Sequence, residues 1–250
     1  MTNLTGKVAL VTGASKGLGK SMAEALGRAG AQCILASRDA GLLEVVEKTI
    51  RAEGGAATSH ECDVLSEASV AALRDRVAGQ YGKIHILINN AGVNVRKPVT
   101  EFTMDEWRRV IDTNLTGAFL MCRDFVPLMT GQGYGRIINL TSIMSHVALP
   151  HRAAYAASKA GLLGFTKALA LELAPERITV NGISPGPIAT EMNRPIIENP
   201  EANKQFISRI PIGGWGRVED IGALALYLCS DAASFMTGTD LVIDGGWTAQ

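Results

Sequence analysis

The chain lacks a charge of one sign: 24 Lys and Arg stand against 24 Asp and Glu, for a formal net charge of +0 at pH 7. Without a basic or acidic field, nucleic acid and anionic membrane surfaces are not expected partners. Long apolar runs are missing too. None reaches the roughly 18 residues that span a bilayer, and the opening MTNLTGKVALVTG shows no basic segment followed by an apolar one. The expectation is a soluble, unprocessed, cytoplasmic protein. Cysteine is scarce. Cys33, Cys62, Cys122 and Cys229 are far apart, form no CxxC and pair with no histidine at ligand spacing. They are expected to be buried free thiols, and no metal site is expected. Repeats, low-complexity tracts and a Pro/Gly/Ser linker are also absent, so nothing marks a second domain.

What is present is an alternation. Short β-branched runs (KVALVT, QCILAS, ATSHECDV, KIHILINN, GRIINLTS, RITVNGIS, DLVIDGG) alternate with helical patterns at 18–29, 40–53, 66–80, 105–129, 153–173 and 219–230. Continuous apolar strands indicate a parallel sheet buried on both faces. The fold class is α/β: one Rossmann-type, doubly wound domain over 1–250, with a seven-stranded, mostly parallel sheet flanked by helices. The stretch 186–217, rich in Pro, Asn and Gly, is too long for an ordinary connection and reads as a substrate lid.

After the first strand comes TGASKGLG, residues 12–19, with Gly13, Gly17 and Gly19. Glycines there let the backbone turn sharply toward a pyrophosphate, and the following helix supplies free amides and its positive end. About 20 residues further on, a carboxylate would select NAD by binding the ribose 2′-hydroxyl, whereas an arginine receives the 2′-phosphate of NADP. Strand 2 ends ILASRD, so Ser37 and Arg38 stand at that position, and Lys16 adds a second cation. A guanidinium suits bidentate phosphate binding. Asp39, ahead of AGLLEVVEK, reads as a helix N-cap. NADP(H) is therefore favoured over NAD(H).

In AAYAASKAGLLGFTKALALEL, residues 153–173, Tyr155 and Lys159 lie four apart and share a helix face. A free phenol titrates near 10, too high for efficient proton transfer at neutral pH, and a nearby ammonium together with the positive nicotinamide of an oxidised cofactor would favour phenolate. Ser142 ends the strand RIINLTS, 13 residues before Tyr155. Its hydroxyl would face the crevice beyond the carboxyl ends of the strands. Strand 4 ends in NNAG, residues 89–92, and Asn114 interrupts a long helix, where asparagine is unfavourable unless its amide has a task.

With these motifs in this order, the chain resembles the short-chain dehydrogenase/reductase family, from Lys7 to Trp247. The resemblance implies a tetrad of Asn114, Ser142, Tyr155 and Lys159. For the cofactor it implies Gly13, Ser15, Lys16, Gly17, Leu18 and Gly19 in the loop, Ser37 and Arg38 at the ribose, and Asp63 and Val64 at the adenine. Asn90, Ala91 and Gly92 come from NNAG, and Pro185, Gly186, Ile188 and Thr190 from SPGPIAT. In reduction, Ser142 and Tyr155 would bind the ketone oxygen and Tyr155 would give the proton. Lys159 would hold the nicotinamide ribose and lower the phenol's pKa, and Asn114 would anchor a water linking Lys159 to solvent. No metal is implied.

The 153–173 helix has too few polar residues for a solvent face, so a partner subunit is expected to bury it. The resemblance implies a homotetramer, with VIDGGWTAQ in a second interface. Two small-molecule substrate classes remain open. One is a sugar acid or polyol such as gluconate, which ATEMNRP and RIPIGGWGRVED favour, with Arg152, Asn193 and Arg194 as pocket residues. The other is a 3-oxoacyl chain on a carrier protein, with Arg96, Lys97, Arg108, Arg109 and Arg152 at the mouth. A non-catalytic NADP(H)-binding regulator would need no complete acid–base set.

Overall fold

A computed structural model of the chain describes residues 2–250. Seven strands form one sheet: β1 (Val8–Thr12), β2 (Gln32–Ser37), β3 (Ala56–Glu61), β4 (Ile86–Asn89), β5 (Gly135–Leu140), β6 (Ile178–Pro185) and β7 (Asp240–Ile243). Their order is β3-β2-β1-β4-β5-β6-β7, and all six pairings are parallel, so the sheet is wholly rather than mostly parallel. Every residue of β4 and β5 is buried, as continuous apolar strands require when helices cover both faces.

On one face lie α1 (Gly17–Arg28), α2 (Ala40–Ala52) and α9 (Val218–Cys229), which supply Met22, Leu26, Val46, Ile50 and Leu228 to one core layer. On the other lie α3 (Glu67–Tyr81), α5 (Gly117–Phe125) and α6 (Ala153–Leu173), which supply Leu73, Val77, Phe125 and Leu169. The strand order turns back between β1 and β4, so their carboxyl ends diverge and open a crevice there. Asp39 caps α2 by accepting from Leu42 N at 3.0 Å, as its position predicted.

Two segments differ from the sequence reading. The long helix expected over 105–129 is α4 (Met104–Ile111), a π-helical turn Asp112–Thr116, then α5. Asn114 sits inside that turn, where an extra residue re-aims side chains, a frequent device at functional sites. The stretch 186–217 is not irregular throughout: it forms α7 (Arg194–Ile197) and α8 (Pro200–Ile207). Asn199 accepts from Ala202 N at 3.0 Å and Pro200 occupies the first helical turn, so residues that read as loop-formers are in fact a helix start.

Candidate active site

A cavity of about 900 Å³ follows the crevice from the end of β2 to the start of α6. The β1–α1 loop, where the sequence reading expects a pyrophosphate, lines one part of it. Gly13 and Gly17 have φ of +62° and +55°, conformations that L side chains rarely adopt. A Cβ on Gly19 would overlap Gly13 O and Asn90 Nδ2, so this glycine packs the loop against β4. Asn90 Nδ2 donates to Thr12 O at 2.9 Å, and Thr12 Oγ1 accepts from Asn90 N at 3.0 Å and Ala91 N at 3.1 Å. These bonds join the diverging ends of β1 and β4. The N-cap of α1, Lys16, makes no side-chain cap bond, so the first amides of this helix face the cavity without a side-chain acceptor.

Ser37, Arg38, Asp63 and Val64 line the end of the cavity beside β2 and β3, where the sequence reading expects the adenosine. Arg38 is exposed and, among the described residues, forms no ion pair. Asn90, Ala91, Gly92, Pro185, Gly186, Ile188 and Thr190 line the middle. A Cβ on Gly186 would overlap Asp244, so only glycine lets β6 leave the sheet here. Ser142, Tyr155 and Lys159 form the far end with Arg96 and Arg152. Of the tetrad and cofactor residues read from the sequence, Gly19 and Asn114 stand behind the lining rather than in it.

Lys159 is 5% exposed and donates to Leu140 O, with its ammonium 5.6 Å from the centre of the Tyr155 ring. Burial pushes this ammonium down to about 8, while the charge of Asp240 raises it. Burial also raises the Tyr155 phenol, against the hydrogen bond from Ser142 and the charges of Arg152 and Arg96. In the chain by itself desolvation is the largest influence on this phenol, and the two arginines act against it. Ser142 Oγ accepts from Met144 N at 3.1 Å, which fixes the hydroxyl at the end of β5.

Asn114 is fully engaged by protein. Its Oδ1 accepts from Val93 N at 2.8 Å, and its Nδ2 donates to Val93 O at 3.0 Å and Ser158 Oγ at 2.9 Å. Ser158 Oγ in turn donates to Tyr155 O at 2.7 Å. A buried ladder sets the height of α6: Asn89 Nδ2 donates to Asn139 Oδ1 at 2.8 Å, and Asn139 Nδ2 to Thr166 Oγ1 at 2.9 Å. Thr12, Asn139 and Thr166 were not singled out from the sequence, because no spacing or charge marks them.

A family profile described as enoyl-(acyl carrier protein) reductase matches residues 13–248. The chain belongs to the short-chain dehydrogenase/reductase family. It is 43% identical over 249 residues to the 3beta-hydroxysteroid dehydrogenase 1 of Eggerthella lenta, covering 98% of this chain and 95% of that one. It is 39% identical to a 3-oxoacyl-(acyl-carrier-protein) reductase of Pseudomonas aeruginosa, with 98% of both chains covered. A crystal structure of a gluconate 5-dehydrogenase from Burkholderia cenocepacia, in complex with NADP and tartrate, superposes with a TM-score of 0.95 at 35% identity, covering 99% and 97%. The chain is thus a short-chain dehydrogenase/reductase, an oxidoreductase acting on CH–OH groups. These relatives span a steroid, an acyl thioester and a sugar acid, so the substrate has to be sought in this chain's own pocket.

That pocket revises the cations read from the sequence. Lys97 is paired with Glu106 at 2.7 Å, and Arg194 with Glu198 at 2.6 Å, so both are engaged by carboxylates. Arg108 lies outside the lining beside Asp105. Arg96, Arg109 and Arg152 line the cavity. Arg96 donates to Asn193 Oδ1 at 3.0 Å, and among the described residues neither Arg96 nor Arg152 has a carboxylate partner. Burial and the charge of Arg96 both push the Arg152 guanidinium down. Facing them, Ile143, Met144, Leu149, Phe206 and Trp247 form an apolar wall. The four cysteines are all free and buried, with burial pushing the thiols of Cys33, Cys122 and Cys229 up to about 12.

Proposed function

We propose that the chain is an NADP(H)-dependent oxidoreductase that interconverts a ketone and a secondary alcohol on a carboxylated substrate, a sugar acid such as gluconate. The observation that carries this reading is the pair of guanidiniums, Arg96 and Arg152, facing the Tyr155 phenol without a carboxylate of their own. Two unpaired cations beside a proton donor suit a substrate that brings an anion.

The loop with Gly13 and Gly17, the open amides of α1, and Arg38 with Lys16 fit a phosphorylated dinucleotide. When bound, the nicotinamide supplies or accepts the hydride. Ser142 and Tyr155 bind the carbonyl oxygen, and Tyr155 gives it the proton in reduction or takes it in oxidation. Lys159 would hold the ribose, with its ammonium 5.6 Å from the centre of the Tyr155 ring. Asn114 fixes the Val93 loop and, through Ser158, the first turn of α6, and it would also anchor a water that links Lys159 to solvent. The segment with α7 and α8 covers the pocket with Met192, Asn193 and Phe206 and serves as its lid.

A second reading, reduction of 3-oxoacyl thioesters, is favoured by the apolar wall of Ile143, Met144, Leu149, Phe206 and Trp247. NADPH oxidation with 5-keto-D-gluconate beside an acetoacetyl thioester, repeated with NADH, separates the two. Keto-acid turnover is the expected result, and turnover of the thioester alone would replace the first reading with the second.

The protein is further proposed to be a cytoplasmic homotetramer. Along α6, Ala157, Ala160, Gly164, Ala168 and Leu171 face outward, Leu171 at 78% exposure. A helix face of small and apolar residues suits close approach of a second helix.

A further inference from the structure

Arg96 lines the cavity, yet its side chain is exposed, and two neighbouring residues grip its head. Nη2 donates to Asn193 Oδ1 at 3.0 Å and lies 3.5 Å from Met192 O. Nε and Nη1 have no partner among the described residues. An exposed side chain of this length has many rotamers, so where the guanidinium sits depends on what holds it.

The grip is itself anchored. Asn193 Nδ2 donates to Ile188 O at 2.9 Å, and Asn193 N to Thr190 O at 2.9 Å. A guanidinium only donates and a carbonyl only accepts, so these partners fix which way the carboxamide faces. Ile188 is 4% exposed and forms a single parallel bridge with Gly216; Ala189 N donates to Gly216 O and Gly216 N to Pro187 O, each at 2.9 Å. A Cβ on Gly216 would overlap Ile188 Cδ1, so the segment beneath Asn193 is packed as well as bonded.

The loop that carries Arg96 is held too. Lys97 N donates to His151 O at 3.2 Å, a main-chain bond that sets the two arginines, Arg96 and Arg152, side by side, while Glu106 holds the Lys97 ammonium. The Asn193 carboxamide thus joins the loop after β4 to the segment after β6, across 97 residues of sequence.

We propose that Asn193 is a positioning residue for anionic substrates: its carboxamide ties the Arg96 guanidinium to the Ile188 carbonyl and holds that cation in the cavity, with its remaining N–H groups open to a substrate carboxylate. Asn193 acts through Arg96 and does not bind the substrate itself. The role rests on the reading of Arg96 and Arg152 as the carboxylate site.

The test is steady-state kinetics on 5-keto-D-gluconate and on a neutral ketose that the wild type reduces, in Arg96→Ala, Asn193→Ala and the double variant. Arg96→Ala should raise KM for the keto acid about tenfold or more. Asn193→Ala should raise it about three- to tenfold, the worth of one hydrogen bond, with smaller changes in kcat and in KM for the neutral ketose. The double variant should be no worse than Arg96→Ala, since a grip has no effect once the group it holds is gone. Asn193→Asp, which gives Arg96 a carboxylate of its own, should raise KM for the keto acid more than Asn193→Ala does. Losses that multiply in the double variant would mean that Asn193 meets the substrate directly, and they overturn the proposal. An equal loss on both substrates, or a matching loss of NADPH affinity, overturns it as well, because Asn193 would then only prop its own segment. Crystal structures of the wild type and of Asn193→Ala give a reading free of turnover: the Arg96 guanidinium should leave its place in the variant, and an unmoved one overturns the proposal. If Arg96→Ala treats the two substrates alike, the carboxylate reading fails, while the place of the guanidinium in Asn193→Ala still judges Asn193.

Discussion

Asn114 holds both backbone polar groups of Val93, accepting from its N–H at 2.8 Å and donating to its carbonyl at 3.0 Å. The grip joins a π-helical turn between α4 and α5 to the loop after β4, two segments about 20 residues apart that wall the cavity. Removing the carboxamide leaves two partly buried backbone groups without their partner. Asn114→Ala should lower stability by about 1–3 kcal/mol, the penalty of unsatisfied buried groups. A thermal melt checks it, and turnover should fall with it. Asn114→Asp, which keeps the acceptor and loses both donors, should recover only part.

Tyr155 is the one phenol that shares the cavity end with Ser142 and Lys159. Tyr155→Phe should cut turnover by about 10²–10⁴-fold, the usual worth of a positioned proton donor. Binding of NADPH, followed by fluorescence titration, should stay within a few-fold of wild type. Normal turnover would remove Tyr155 from the chemistry.

Arg38 lies exposed at the adenosine end without an ion pair. Losing a charge-assisted bond of about 1.5–3 kcal/mol should raise KM for NADPH roughly tenfold or more in Arg38→Ala. KM for NADH should barely move, since it carries no 2′-phosphate. Equal effects on the two cofactors would refute the assignment.

Arg152 is partly buried beside Tyr155 and unpaired. Arg152→Ala should raise KM for a keto acid about tenfold or more, with a smaller effect on a neutral ketone of similar size. Parallel kinetics on the two substrates make the comparison, and a uniform loss would mean that the arginine acts on the tyrosine rather than on a carboxylate.

At Gly164 a Cβ would meet nothing within the protomer. Replacing a mid-helix glycine with leucine gains helix propensity, about 1 kcal/mol. If α6 packs on a second copy, Gly164→Leu should nonetheless break the assembly, seen as a lower mass in sedimentation. A wild-type protein that sediments as a monomer at all dilutions would dismiss the tetramer.

The sequence by itself determined the α/β class, the alternation of strands and helices along the chain, and the tyrosine, lysine and serine of the reacting end. These are local signals: an apolar run, a four-residue helical spacing, a glycine loop before a helix. The N-cap role of Asp39 was legible for the same reason, since a cap is set by residues two or three places away. The tertiary structure alone decided what burial does to the charges. Burial raises the Tyr155 phenol, an influence the sequence does not show, because desolvation depends on everything packed around a group and not on its neighbours in the chain. The tertiary structure also paired Lys97 with Glu106, gave Asn114 to Val93, and brought Asp240 from the last strand to within reach of Thr141, 99 residues earlier. Contacts of that span follow from which strands lie side by side, and a charge in sequence carries no mark of the partner it will meet.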